Sequence, residues 1–190
     1  PRYLLDNEVA PFRHVIRSAR PASVMAAFNE VDGLPCHVNP WILTDVLRNR
    51  IGFKGLVVGD YQGIDLVRQY QKIGTSDADA ARMALQAGLQ LELPNNFGYK
   101  HLPQLIREGK VAESKLDEAV RAVLSLKFRL GLFEAPYKLD AEKAKALSRS
   151  PEATELAKQG ALQSIVLLKN DGGILPLAKE RYKKIAIIGP

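Results

Sequence analysis

Three short apolar segments, spaced about 33 residues apart, place the tightest limit on how this 190-residue chain can fold. They are residues 22–28, 56–58 and 89–93; each is too short for a helix and is bounded by Gly, Pro or Asn. The spacing accommodates one strand, one crossover helix and two loops, which is the repeating unit of a parallel sheet. The sequence therefore predicts an α/β fold built from consecutive βα units.

Helix signals occupy the intervals between these segments. Asn39 is the predicted N-cap of a helix over residues 41–48, and Ser76 is the predicted N-cap of a helix over residues 77–87. Further along the chain, Ser114 and the acidic residue three positions later resemble a capping box that opens a long helix. Each predicted strand is therefore followed by a predicted helix.

Three βα units followed by a further domain are typical either of part of an eightfold barrel or of an open doubly wound sheet. Three units alone cannot close a barrel. In both architectures the functional side chains follow the C-terminal ends of strands. This rule points to residues 28–30, to Asp60 with Tyr61, and to residues 93–96.

The pattern changes after residue 134, where we predict a domain boundary. Residues 1–134 contain the βα units, and residues 135–163 are predicted to form a linker and a helix. Residues 164–169 and 184–189 are both strand-like, so residues 164–190 are predicted to begin a second αβ domain.

Composition excludes several classes of protein. The formal net charge is +6, but the Lys and Arg residues are scattered, so we predict no nucleic-acid surface. No apolar run approaches the ~20 residues that span a bilayer, so no membrane segment is predicted. Cys36 is the single cysteine, and the spacing of His14, His37 and His101 is not that of metal ligands. We therefore predict no metal and no cofactor, and interpret the three histidines as surface or packing residues.

Asp60 is the most informative polar residue, because it directly follows an apolar strand and Gly59. A carboxylate in this position serves either catalysis or the capping of a loop or helix, and the local residues leave both interpretations open. Glycoside hydrolysis requires such a group, because a carboxylate can attack the anomeric carbon and later leave it. Gly59 is expected to remove a side chain where a sugar would approach.

Longer segments around Asp60 make this interpretation specific. Residues 24–35 read VMAAFNEVDGLP, residues 43–48 read LTDVLR and residues 52–61 read GFKGLVVGDY. In this order and spacing they resemble the nucleophile region of glycoside hydrolase family 3. The resemblance continues through the next strand, the closing helix of the barrel and the entry into the second domain, which correspond to residues 84–94, 121–133, 164–177 and 185–190.

The resemblance implies a β-glucosidase-type enzyme with a partial (β/α)8 TIM-like barrel, followed by the first strand of an αβα sandwich domain. The chain would then be an internal fragment that spans the second half of the barrel and the start of the C-terminal domain. The implied reaction is retaining hydrolysis of terminal non-reducing β-D-glucosyl residues through a covalent glycosyl-Asp60 intermediate. A β-xylosidase or another exo-glycosidase of the family, and a non-catalytic carbohydrate-binding homologue, remain the alternatives.

The candidate substrate-binding residues are Tyr61, Phe28, Met25 and Glu92. Glu92 is a candidate because it lies in the middle of the third predicted strand, where it either contacts substrate or is a buried, hydrogen-bonded residue. Phe28 stands where many members have a Tyr whose hydroxyl lies near the nucleophile. Tyr61 replaces a common Trp and keeps an aromatic surface on which a sugar can stack. Gly59 stands where the family usually has Ser.

The expected partner is a β-linked glucoside or oligosaccharide, and a homo-oligomer is compatible with the resemblance. The acid/base carboxyl group is expected outside this chain, so we expect the 190-residue chain alone to be inactive and to need the other parts of the same protein. The residues predict no cellular location, although the resemblance favours a periplasmic or secreted protein.

Overall fold

The fold is described from a computed structural model that covers residues 2–134, 140–178, 180–186 and 188. The chain divides into two units, Pro1–Tyr137 and Lys138–Pro190. The predicted linker at residues 135–137 lies outside the described residues. No described helix is long and apolar enough to cross a membrane.

Five strands form two sheets in the first unit. The strands are β1 (Ser23–Met25), β2 (Glu30–Val31), β3 (Leu34–Pro35), β4 (Leu56–Tyr61) and β5 (Leu91–Leu93). Strands β1, β4 and β5 lie parallel in the order β1-β4-β5, with Ser23 opposite Leu56 and Val58 opposite Leu91. Strands β2 and β3 form an antiparallel pair. The predicted parallel α/β sheet is confirmed, and its three strands do not close a barrel.

Helices connect the parallel strands. The α-helices of the first unit are α1 (Ala10–Ala19), α2 (Gly63–Gln69), α3 (Asp77–Ala87), α4 (Leu102–Arg107) and α5 (Glu113–Arg129). Wider π-helical turns span Leu4–Glu8 and Trp41–Arg50, and tighter 3₁₀ turns span Cys36–Val38 and Tyr99–His101.

Two of the three predicted helix starts are confirmed. The Ile42 N–H donates to Asn39 Oδ1 at 3.2 Å, and the Asp79 N–H donates to Ser76 Oγ at 3.1 Å. The predicted capping box at Ser114 is wrong, because α5 already begins at Glu113 and no side chain bonds to its first turn. Ser114 therefore lies inside the helix rather than in front of it.

The core of the first unit lies between the parallel sheet and its helices. Val57, Ile64 and Leu89 are almost fully buried there, and each contributes about 1.5–3 kcal/mol by leaving water. The small residues Ala80 and Ala84 of α3 are also fully buried, so this helix packs close to its neighbours. A second cluster packs α3 against α4 and α5 through Leu85, Leu102, Leu105, Val111 and Ala119.

Strand β4 contains one residue more than β5 between their last two paired positions. Val58 pairs with Leu91 and Tyr61 pairs with Leu93, so three steps along β4 match two steps along β5. This β-bulge lies directly at Asp60, and bulges commonly occur next to active sites.

The second unit consists of helices α6 (Ala141–Leu147) and α7 (Pro151–Ser164), neither of which has a buried residue. The strand predicted at residues 164–169 is not formed, because α7 extends to Ser164 and the described residues provide no neighbouring strand for it to pair with. Residues 184–186 and 188 are also irregular, and the other two residues of the strand predicted at 184–189 lie outside the described part.

Candidate active site

Asp60 lies at the C-terminal end of β4 with its side chain partly exposed. Its Oδ1 accepts a hydrogen bond from the Tyr61 N–H at 2.6 Å. Two residues later, Gln62 adopts a left-handed backbone conformation with φ of 63°, which is uncommon for a residue other than glycine. The Gln62 N–H donates to the Leu93 carbonyl at 2.9 Å and ties the end of β4 to the end of β5. The carboxylate therefore sits on a tightly held turn.

The Asp60 N–H bonds to a histidine side chain and not to a neighbouring strand. This N–H donates to His37 Nε2 at 3.0 Å. His37 is only 1% exposed and lies in the 3₁₀ turn that follows β3. Because Nε2 accepts, the proton of the neutral imidazole belongs on Nδ1.

The surroundings of His37 favour its neutral form. Burial lowers the pKa of the imidazole below its ordinary value, whereas the charge of Asp60 and the Ala27 carbonyl act in the opposite direction and are weaker. At neutral pH Nε2 is therefore unprotonated and available as an acceptor.

The sequence interpretation missed the contact between His37 and Asp60. The prediction that His37 is a packing residue is correct about burial but omits its bond to the backbone of Asp60. The two residues are 23 positions apart in the sequence, and a local sequence pattern cannot predict a bond between residues so far apart.

Two aromatic residues predicted to contact substrate flank this arrangement. Tyr61 is 64% exposed, so its ring is available for stacking. Phe28 is 40% exposed, and its ring lies 5.5 Å from that of His37 at an angle of 34°. The Phe28 carbonyl accepts from Gln71 Nε2 at 2.9 Å, which fixes the backbone of this loop. Phe28 and Asp60 thus both contact His37.

The other two predicted substrate residues have different surroundings. Met25 is exposed, pairs with Val58 across the sheet and borders an apolar groove of about 430 Å³ along the outer edge of β1. Glu92 holds a loop: one carboxylate oxygen accepts from the Gly98 N–H and the other from the Tyr99 N–H, both at 2.8 Å. We therefore leave Glu92 out of the proposed substrate site.

Gly59 does not open space for a sugar, so that expectation is wrong. A Cβ built at this position would lie 3.5 Å from the Leu91 carbonyl oxygen, 3.6 Å from the Leu89 side chain and 3.7 Å from His37 Cδ2. The position thus faces the buried interior. These distances are ordinary van der Waals contacts, so the site would also admit the Ser that the family resemblance leads one to expect.

A shallow cavity of about 250 Å³ lies beyond the ends of β4 and β5. Asn95 and Asn96, which the sequence places at this edge, line it together with Gln62, Asp65 and Lys100. The described residues contain no group of three His, Cys, Asp or Glu side chains that could hold a metal ion. The side chains at this edge of the sheet offer carboxylates, amides, the ammonium group of Lys100 and aromatic rings.

Comparison with known proteins identifies the family of this chain. Residues 1–126 match the family described as Glycosyl hydrolase family 3 N terminal domain. A β-xylosidase from Formosa agariphila is 32% identical over 197 residues, which cover 100% of this chain and 27% of that protein. A periplasmic β-glucosidase from Salmonella typhimurium is 36% identical over 193 residues, covering 98% of this chain and 24% of that protein.

The fold is shared with solved structures. The structure of a β-glucosidase from Erythrobacter marinus superimposes with a TM-score of 0.74 and 41% sequence identity, covering 89% of this chain and 22% of that one. The chain thus spans about a quarter of the length of the relatives it matches.

Proposed function

This chain belongs to glycosyl hydrolase family 3, and from that premise we propose that it supplies the nucleophile, Asp60, of a retaining exo-glycosidase. The observation that carries the proposal is the placement of this carboxylate. It stands at the C-terminal end of a parallel strand, where α/β enzymes keep their reactive groups. Its Oδ1 accepts from the Tyr61 N–H, and the Asp60 N–H donates to His37 Nε2.

In the first step, a carboxylate oxygen of Asp60 bonds to the anomeric carbon while the bond from that carbon to the glycosidic oxygen breaks. Because Oδ1 is held by the Tyr61 N–H, we assign the attack to Oδ2. The departing oxygen takes a proton from a carboxylic acid outside this chain. In the second step, water adds to the anomeric carbon and gives a proton to the carboxylate that acted as the acid in the first step, while the glycosyl ester is cleaved and the Asp60 carboxylate is restored.

We propose a terminal β-D-glucosyl residue as the group transferred to Asp60. Tyr61 supports this proposal, because an exposed aromatic ring beside the nucleophile can stack on the flat face of a pyranose. A β-D-xylosyl residue is the second candidate, because one of the relatives above is a β-xylosidase. The two sugars differ only in the hydroxymethyl group on C5, and no described residue is tied to that group.

The test is to trap the glycosyl-enzyme in the complete protein that carries this sequence. An activated 2-deoxy-2-fluoro-β-glucoside forms the ester but slows its hydrolysis, so intact mass should rise by one fluoroglucosyl group. Peptide mapping should then find that group on Asp60. The matching xyloside distinguishes the two candidate sugars by its labelling rate.

Two variants serve as controls for this experiment. Asp60→Asn should abolish labelling and reduce kcat by about 10⁴-fold or more, because the nucleophile is lost. Asp45→Asn removes an exposed carboxylate from the turn Trp41–Arg50 and should be labelled like the unmodified protein. Labelling of another residue, or none with either sugar, would overturn the assignment of Asp60.

A further inference from the structure

We propose that His37 is a positioning residue, which holds the backbone of Asp60 in the position from which its carboxylate attacks the anomeric carbon. This inference rests on the proposed role of Asp60 as nucleophile. It extends that role to a side chain that does not touch the reacting atoms, because the contact of His37 is with the Asp60 N–H.

The end of β1 creates the need for such a residue. Leu56 and Val58 form backbone hydrogen bonds with the chain around β1, but β1 ends at Met25, and two residues after Val58 the Asp60 N–H donates to His37 Nε2 and not to a strand carbonyl. A buried backbone N–H without a partner is costly, so this position requires an acceptor from elsewhere. His37 supplies it, and in doing so fixes the backbone to which the Asp60 carboxylate is attached.

The His37 ring is itself held on several sides. A Cβ built at Gly63, the first residue of α2, would overlap the imidazole, so this glycine is what lets the helix start against the ring. The Phe28 ring packs against the imidazole, and the Gly59 backbone faces it. The imidazole therefore cannot shift without moving α2 or the loop of Phe28, so its Nε2 is a rigid reference point for Asp60.

The arrangement predicts a specific kinetic signature. In the complete protein, His37→Leu removes the acceptor while keeping an apolar side chain, and a displacement of the nucleophile by about 1 Å can cost on the order of 10²-fold in rate. We expect kcat and the rate of trapping by the fluoroglucoside to fall about 10- to 100-fold with little change in KM. His37→Gln can place a carbonyl oxygen near the position of Nε2 and should recover most of the loss.

A matched control separates positioning from loss of stability. Val111→Ala truncates a side chain in the second core cluster, away from Asp60, and its kcat per folded molecule should stay close to that of the unmodified protein. If His37→Leu does not fold, His37→Asn replaces it, because its shorter amide cannot reach the Asp60 N–H. The test is then whether kcat and the trapping rate are lower in His37→Asn and are restored in His37→Gln.

The outcomes are distinct. If His37→Leu or His37→Asn is trapped on Asp60 as fast as the unmodified protein, or if His37→Gln is no better than they are, the positioning role is overturned while the proposed function stands. If the unmodified protein is not trapped on Asp60, the proposed function fails and the positioning role fails with it.

Discussion

The two units of this chain contrast in how they use similar local signals. In the first unit, Ser76 caps α3, which then buries Ala80 and Ala84 completely. In the second unit, the Ala153 N–H donates to Ser150 Oγ at 3.2 Å, and α7 that follows has no buried residue. A cap is sufficient to start a helix, whereas burial depends on partners elsewhere in the chain.

Apolar side chains show the same contrast. The hydrophobic residues buried in the described part of the chain lie between Ile16 and Ala119, all in the first unit. Leu156, Leu162 and Ile165 of the second unit are exposed. Both units therefore contain large apolar side chains, but among the described residues only the first unit has a sheet against which they are buried.

The largest expected difference between the two units comes from truncating one leucine in each of them. In the 190-residue chain, Leu89→Ala should lower the free energy of unfolding by about 2–5 kcal/mol, because the side chain is fully buried. Leu156→Ala should change it by less than about 0.5 kcal/mol, since Leu156 is exposed and Ala favours helix. Urea unfolding measures both values, and equal losses would contradict the contrast.

A smaller effect is expected from replacing one arginine in each unit. Arg48 Nη1 donates to the Phe53 carbonyl at 3.1 Å and to the Gly55 carbonyl at 2.6 Å, and its Nη2 donates to Gln90 Oε1 at 2.7 Å. Arg48→Met leaves these partly buried acceptors without a donor and should cost about 1–3 kcal/mol.

The control for Arg48 is Arg149→Met, at an exposed position in the second unit. It should change the free energy of unfolding by less than about 0.5 kcal/mol. Thermal or urea unfolding of the two variants compares them directly. A cost for Arg149→Met as large as that for Arg48→Met would show that the second unit is packed more tightly than its exposure indicates.

The smallest expected effect is a pH dependence of the free energy of unfolding, which arises from His37 in the first unit. All three histidines lie there, and burial lowers the pKa of His37 in the folded chain. As the pH falls below about 6.5, the unfolded chain takes up a proton before the folded chain does, so the free energy of unfolding decreases. The Asp60 charge opposes this effect without reversing it.

The pH effect amounts to about 1.4 kcal/mol for each unit by which the two pKa values differ. The part of the effect that belongs to position 37 should be absent from His37→Gln, because glutamine does not titrate, whereas His14 and His101 are present in both proteins. Urea unfolding at pH 7 and pH 5 measures it, with the loss in the unmodified chain minus the loss in His37→Gln as the quantity of interest. No difference between the two proteins would contradict the lowered pKa.

The sequence was most informative where the determinants are local. Residues 56–58 predict β4 because they are apolar and bounded by glycines. Ser76 predicts the start of α3 because its side chain can accept a hydrogen bond from a nearby backbone N–H. Contacts between distant residues were less accessible to prediction. The bond between His37 and Asp60, which lie 23 positions apart, was not predicted. For Glu92 the sequence left open substrate contact or a hydrogen-bonded structural role, and its carboxylate accepts from the N–H groups of Gly98 and Tyr99.

The predicted strand at residues 164–169 failed for a related reason. Its apolar composition is typical of a buried strand, but a strand is stable only beside another that accepts its hydrogen bonds. The described residues of the second unit contain no such neighbour. Local sequence pattern alone therefore cannot distinguish an apolar segment that pairs with a neighbouring strand from a similar segment that has no strand beside it.

The extra residue in β4 also bears on how such a protein can change over generations. Side chains alternate between the two faces of a strand, so removal of one residue between Val58 and Asp60 would turn the carboxylate toward the opposite face. The aspartate would remain in the sequence, yet the carboxylate that we propose as the nucleophile would lie on the other face of the strand. A three-nucleotide deletion would thus be expected to remove the proposed activity without removing the residue that the sequence motif identifies.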